Sequence, residues 1–284
     1  MRSTAALILM IGTLVLLVSC SPLPTVTPTT EPPPLPEMVL VDAGVFEMGS
    51  SSWNWDEMPV HTVTISRDLY VAKYLVTYEC WERYGNDVPG VRGSVPDEGE
   101  PWDSPVSGLT WNDVVRYCNW LSEKHGLTPC YSGKGKVTKC DFSANGYRLP
   151  TEAEWEFAAR GGNESRGYLY SGSDDPVEVA WYVANSGGRL HSVGQKEPNE
   201  LGIFDMSGQV WEWCWDWYRE DYYESSPEVD PTGPSSGRSI HVSDADRVKR
   251  GGSPQEEAET LRVTRRGADG SKYPGGGFRL VRTK

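Results

Sequence analysis

Hydrophobic and polar positions alternate in short stretches over the first part of the chain and lengthen to a helical period further on. After Met38 the pattern predicts a strand, a turn at Ala43-Gly44 and a second strand from Val45 to Met48. Val60 to Ile65 and Leu69 to Val76 add two strands rich in β-branched and aromatic residues. A helix starts at Thr110, whose hydroxyl caps it with Asp113 three residues on. Val114, Tyr117, Cys118 and Leu121 then share one face. A second helix starts at Thr151 with Glu154 at the third position, a capping-box pattern. It buries Trp155, Ala158 and Ala159 and stops at Gly161-Gly162. A weaker helix follows Thr77, a long acidic surface loop spans Glu220 to Arg247, and Val248, Phe278, Leu280 and Val281 supply closing strands. Trp211, Trp213, Trp215 and Trp217 alternate with Glu212, Cys214 and Asp216, which on a strand sets four indoles on one face and the polar residues on the other. The whole reads as a single irregular α+β domain with a few short helices and small antiparallel sheets.

The longest apolar run, Ala5 to Val18, follows Arg2 and is too short to span a bilayer comfortably. It ends in Leu17-Val18-Ser19-Cys20, which resembles the lipobox cleaved by bacterial signal peptidases. That predicts a lipoprotein signal peptide over 1–19 and lipidation of Cys20. The alternative is an ordinary secretory signal with a chance cysteine. Residues 20–36 form a Pro/Thr-rich linker that cannot bury a core and favours stiff polyproline geometry. Residues 37–284 remain for one domain. The predicted location is extracytoplasmic, with the membrane engaged through the N-terminal lipid.

A net charge of −13 argues against nucleic acid as a partner. Twelve tryptophans and fourteen tyrosines against five phenylalanines suggest a loop-rich fold held by large aromatic anchors. Of six cysteines, five follow Cys20. An oxidising compartment then allows one or two disulfides with one thiol left over; Cys130 and Cys140, flanking a Gly/Lys-rich loop, are the favoured pair. No Cys-x-x-Cys spacing points to structural zinc, and the four histidines are scattered.

An ordered set of segments carries a further signal: Gly44-Val45-Phe46-Glu47-Met48-Gly49, Pro59-Val60-His61-Thr62-Val63, and Tyr147-Arg148-Leu149-Pro150-Thr151-Glu152-Ala153-Glu154-Trp155-Glu156. Gly202-Ile203-Phe204-Asp205-Met206-Ser207-Gly208-Gln209-Val210-Trp211-Glu212-Trp213, Arg250-Gly251-Gly252-Ser253 and Gly277-Phe278-Arg279-Leu280 complete it. In this order, from about Met38 to Arg282, the set resembles the formylglycine-generating (sulfatase-modifying factor) family. The resemblance implies that family's C-type-lectin-like fold. It also implies a structural calcium site with side-chain oxygens from Asp205 and Glu212 and carbonyls from Gly208 and Val210. The simpler alternative is that the two acids only brace a tight turn.

The family's oxidases convert a substrate cysteine to formylglycine with oxygen and a copper(I) ion held by two thiolates, which soft copper(I) selects. The matching positions here are Glu256 and Leu261, and no cysteine follows Cys214, so copper is not expected. Ser253, Arg265 and Arg266 are then candidates for a polar groove without its metal. Three readings follow: a calcium-stabilised, non-catalytic module binding an extracytoplasmic protein, peptide or glycan; a sulfatase-maturing oxidase with atypical ligands; and a part of a larger envelope assembly.

Overall fold

The computed structural model describes residues 32–91, 94–237, 246–272 and 275–284. The signal peptide, Cys20, most of the Pro/Thr linker and the stretch 238–245 of the acidic loop lie outside them. In chain order the strands and helices are β1 (Met38–Val41), β2 (Gly44–Met48), β3 (His61–Ile65), β4 (Leu69–Ala72), α1 (Tyr78–Asp87), α2 (Trp111–Lys124), β5 (Tyr131–Ser132), β6 (Lys139–Cys140), α3 (Glu152–Ala159), α4 (Pro176–Val179), β7 (Glu212–Trp217), β8 (Asp246–Arg250), β9 (Gly267–Gly270) and β10 (Val281–Thr283). The long stretches between them have little regular structure.

Four small antiparallel sheets result. β4 lies between β1 and β10, with Val71 opposite both Val39 and Val281, so the first and last strands of the domain share one partner. β2 and β3 form a hairpin with Phe46 opposite Val63. β8 lies between β7 and β9, and the pairing of β7 with β8 shifts register between Trp213 and Trp217.

All three expected helices form, each with its hydroxyl cap. Thr77 accepts from the Cys80 amide, Thr110 from that of Asp113, and Thr151 from that of Glu154. Glu154 completes the capping box by accepting the Thr151 amide at 2.8 Å. α1 and α2 pack Trp81, Tyr84, Tyr117 and Trp120 against Phe278 in one aromatic core. α3 joins the second core, where Trp155 and Phe157 meet Ile203, Met206, Tyr223 and Val248. Every residue of α3 is buried, including three glutamates, so this helix has no solvent face at all. Among the described residues, no helix is long and apolar enough to cross a membrane.

Two expectations are corrected. The acidic loop is less loose than its composition predicts. Tyr222 and Tyr223 enter the second core, Asp230 accepts from the Ser66 amide at 2.8 Å, and Asp246 to Arg250 are a fully buried strand. Cys130 and Cys140 are free thiols, as are Cys80, Cys118 and Cys214. The β5–β6 register sets Cys140 opposite Tyr131, so Cys130 falls one residue out of step with it. One step along a strand turns a side chain to the other face, and the Cys130 thiol donates to the Gly146 carbonyl at 3.3 Å instead. Alkylation under denaturing, non-reducing conditions should therefore label all five thiols, and reductant should leave the urea midpoint unchanged. A mass lower by two hydrogens before reduction would contradict this register.

Candidate functional site

The acids of α3 lead to the most polar part of the interior. Glu152 receives Nε and Nη2 of Arg266 at 2.7 and 2.9 Å, and Nη1 of Arg250 at 3.1 Å. Glu156, one turn on, takes Nη2 of Arg250 at 2.5 Å, Nε of Arg160 at 2.9 Å and the Gly49 amide at 2.9 Å. Glu154 grips Arg148 through both oxygens at 2.6 and 2.8 Å. Glu57 grips Arg262 in the same way at 2.8 Å twice, with Thr264 and Asn54 also donating to it. Burial pushes the Glu57 carboxyl up, but these donors outweigh it and bring its pKa down to about 2. Its contribution to stability is thus present above the ordinary glutamate range and is lost as pH falls toward 2.

A surface groove of about 290 Å³ lies on another side, lined by Asp97, Glu100, Gln209, Trp211, Ser253 and Gln255 with the backbone of Gly275 and Gly276 as floor. Gly276 is required here, because a Cβ would stand 2.6 Å from the Trp211 carbonyl. Gly251 and Gly252 carry φ of 96° and 88° and turn the chain sharply out of β8 into Ser253. Of the three expected groove residues only Ser253 lines it. Arg266 is fully buried on Glu152 and on the carbonyls of Asp56 and Arg219, and Arg265 reaches toward Asp56 at 4.0 Å. The missed groove residues, Asp97, Glu100 and Gln255, carry no local pattern that marks them.

The two positions matching the copper thiolates have other occupations. Glu256 accepts the Trp211 indole N–H at 3.3 Å beside the groove. Leu261 is fully buried in a third core with Tyr170, Val179, Ala180 and Tyr182. Neither residue is a soft ligand, so the side chains at these positions do not fit copper(I).

Of the expected calcium set, Glu212 is engaged by a guanidinium. Both oxygens of Glu212 are taken by Arg279, at 2.6 and 2.8 Å, with neither side chain exposed. Asp205 sits at φ 60°, accepts the Gly194 amide through Oδ2 at 2.7 Å, and leaves Oδ1 buried without a partner. Among the described residues no three His, Cys, Asp or Glu side chains are grouped to hold a metal ion. Calcium needs six to eight oxygens. Arg279 binds both Glu212 oxygens, and Asp205 Oδ1 is the expected ligand atom left without a partner.

The comparisons with known proteins agree with the fold. The sulfatase-modifying factor enzyme 1-like domain matches residues 24–284. The chain belongs to this family. A chaperone protein, LppX of Paenibacillus barcinonensis, is 39% identical over 215 residues, covering 64% of this chain and 72% of that protein. The formylglycine-generating enzyme of Streptomyces coelicolor is 36% identical over 168 residues, 55% of this chain and 43% of the enzyme. A serine/threonine-protein kinase, pkn1 of Chlamydia pneumoniae, is 32% identical over 89% of this chain, but the match spans only 39% of the kinase. Among solved structures, Treponema denticola variable protein 1 superimposes with a TM-score of 0.75 at 30% identity, over 87% of this chain and 95% of the other. PvdO from Pseudomonas aeruginosa gives a TM-score of 0.66 at 26% identity.

Two predictions separate bracing from metal binding. Glu212→Gln strands a buried guanidinium and should cost about 3–5 kcal/mol in urea unfolding, equally in calcium and in EDTA. A loss confined to calcium-containing buffer would restore the calcium reading. Burial raises the Asp205 carboxyl to about 6, against the pull of the Gly194 amide and Arg279. A raised acid pKa means the folded state holds the proton more tightly, so this contribution is full below the ordinary aspartate range and lost as pH rises through 6. Asp205→Asn should stabilise the protein at pH 7.5 by up to ~3 kcal/mol, with the gain vanishing near pH 4. Equal effects at both pH values would refute the assignment.

Proposed function

We propose that this protein is an extracytoplasmic, lipid-anchored binding module that keeps the formylglycine-generating fold without the oxidase chemistry, and that its groove holds an extended peptide. The carrying observation is Leu261, a fully buried core residue at a position where the oxidases need a thiolate. Glu256, engaged by the Trp211 indole, leaves no soft ligand at the second position either.

The groove's chemistry supports a peptide. Ser253 and Gln255 offer a hydroxyl and an amide, and the glycine floor lets a second backbone approach closely. Asp97 and Glu100 make one wall acidic and favour a basic side chain, while Trp211 presents an aromatic surface. The resemblance to a chaperone protein is consistent with recognition of polypeptide without turnover. An exported location follows from the N-terminal run and Cys20, which would tether the domain by a lipid through the Pro/Thr linker.

Mass spectrometry of a Cys-x-Pro-x-Arg peptide incubated with the protein, oxygen and copper(I) tests the reading, with a working formylglycine-generating enzyme as control. We expect no conversion, together with saturable binding of basic peptides in fluorescence polarisation that Trp211→Ala weakens about tenfold. Repeated turnover of the peptide to formylglycine would sink the proposal.

A further inference from the structure

Trp53 stands apart from the groove and from both main cores. It is 43% exposed, and unlike the still more exposed Trp55 it lines a cleft. The guanidinium of Arg262 lies 4.1 Å from the ring centroid. Arg262 is itself immobile, held by both oxygens of Glu57, by Thr264 and by the Glu259 carbonyl. The indole is thus seated on a buried ion pair, and ordering it for a ligand costs little further entropy.

Beside the ring is an open cleft of about 340 Å³, whose other walls include Ser50, Arg160, Tyr168, Asp174 and Thr264. Unspent hydrogen-bonding capacity faces the same region. Asp174 accepts the Leu169 amide through Oδ1 only, which leaves Oδ2 available. Arg160 commits Nε and Nη2 to Glu156 and the Gly49 carbonyl, which leaves Nη1. The Ser50 hydroxyl accepts the Ser52 amide and still has a proton to give.

Charge and shape narrow the ligand. Arg160 shares Glu156 with Arg250, so the cleft wall carries one guanidinium, Arg160, and one carboxylate, Asp174, and their opposite charges favour neither an anion nor a cation. Apart from Trp53, Leu169 and Val263 are its only large apolar wall residues, too few to bury a greasy molecule. What fits is an uncharged ring with an apolar C–H face and several hydroxyls around its edge, each able to donate to Asp174 while accepting from Arg160.

We propose that the cleft beside Trp53 is a second binding site, for a neutral saccharide whose pyranose face stacks on the indole. It shares no lining residue with the groove, and it stands whether or not the groove binds peptide.

Isothermal titration of the protein with cellotetraose, maltotetraose and chitotetraose tests this. At least one should bind saturably, and Trp53→Ala should weaken that binding about tenfold or more, the equivalent of one lost stacked ring. Trp55→Ala, a still more exposed indole that does not line the cleft, and Trp211→Ala in the groove should leave it unchanged. Near-UV circular dichroism checks that each variant is folded. No saturable binding of any of the three sugars, or full binding by folded Trp53→Ala, would overturn the site.

Discussion

Arg250 is held by two glutamates of one helix, Glu152 and Glu156, four residues apart and therefore on the same face of α3. The same Glu152 holds Arg266, and Arg266 reaches the carbonyls of Asp56 and Arg219. One helix of eight residues thus ties strand β8 to the start of β9 and to two distant loops. Desolvating so many ions costs several kcal/mol each, and their attraction offsets this only when every partner is in place. The lattice therefore selects one arrangement more than it deepens stability. Any other packing of these loops would bury a charge alone. In a domain with four small sheets and long irregular stretches, that constraint does much of what continuous hydrogen-bonded ladders do elsewhere.

The local parts of this design are legible in the sequence. The caps at Thr77, Thr110 and Thr151 act within three residues, and the first strands show in their alternation, whereas the pairing of β1 with β4 rather than with β2 does not. The family segments are legible as well, because their order and spacing survive as text. The burial of α3 is not. Nothing in the local sequence couples Glu152 and Glu156 to Arg250 and Arg266, which lie 94 to 114 residues away. The same blindness affects the tryptophan alternation. Its polar row is present but points inward, Glu212 to Arg279 and Asp216 to the Glu152 amide. Arg265 and Arg266 follow the Gly-Gly-Ser turn in sequence yet face the lattice. Sequence proximity to a groove does not decide which way a side chain leaves the backbone.

Scaffold and groove have been treated differently in this chain. The Glu–Arg pairs and the aromatic cores keep the overall shape that the family comparisons recognise. Around the groove, Asp97, Glu100 and Gln255 are acidic or amide-bearing, while Glu256 takes an indole hydrogen bond and Leu261 a place in the third core. Asp205 combines a left-handed backbone with a buried carboxylate, while Glu212 serves Arg279.

Leu261 ties the turn into the groove to the third core. Its Cδ2 lies 2.4 Å from where a Cβ on Gly252 would stand, and its side chain fills a cluster with two tyrosines. Gly252, at the turn that delivers Ser253 to the groove, is thereby locked to the leucine as well as to its own backbone angle. A cysteine restored at 261 would be smaller, would leave a hole among Tyr170, Val179 and Tyr182, and would sit in an apolar setting that resists forming a thiolate. The packing around position 261 thus suits a leucine and not a metal-binding thiolate, and it couples the turn into the groove to the third core.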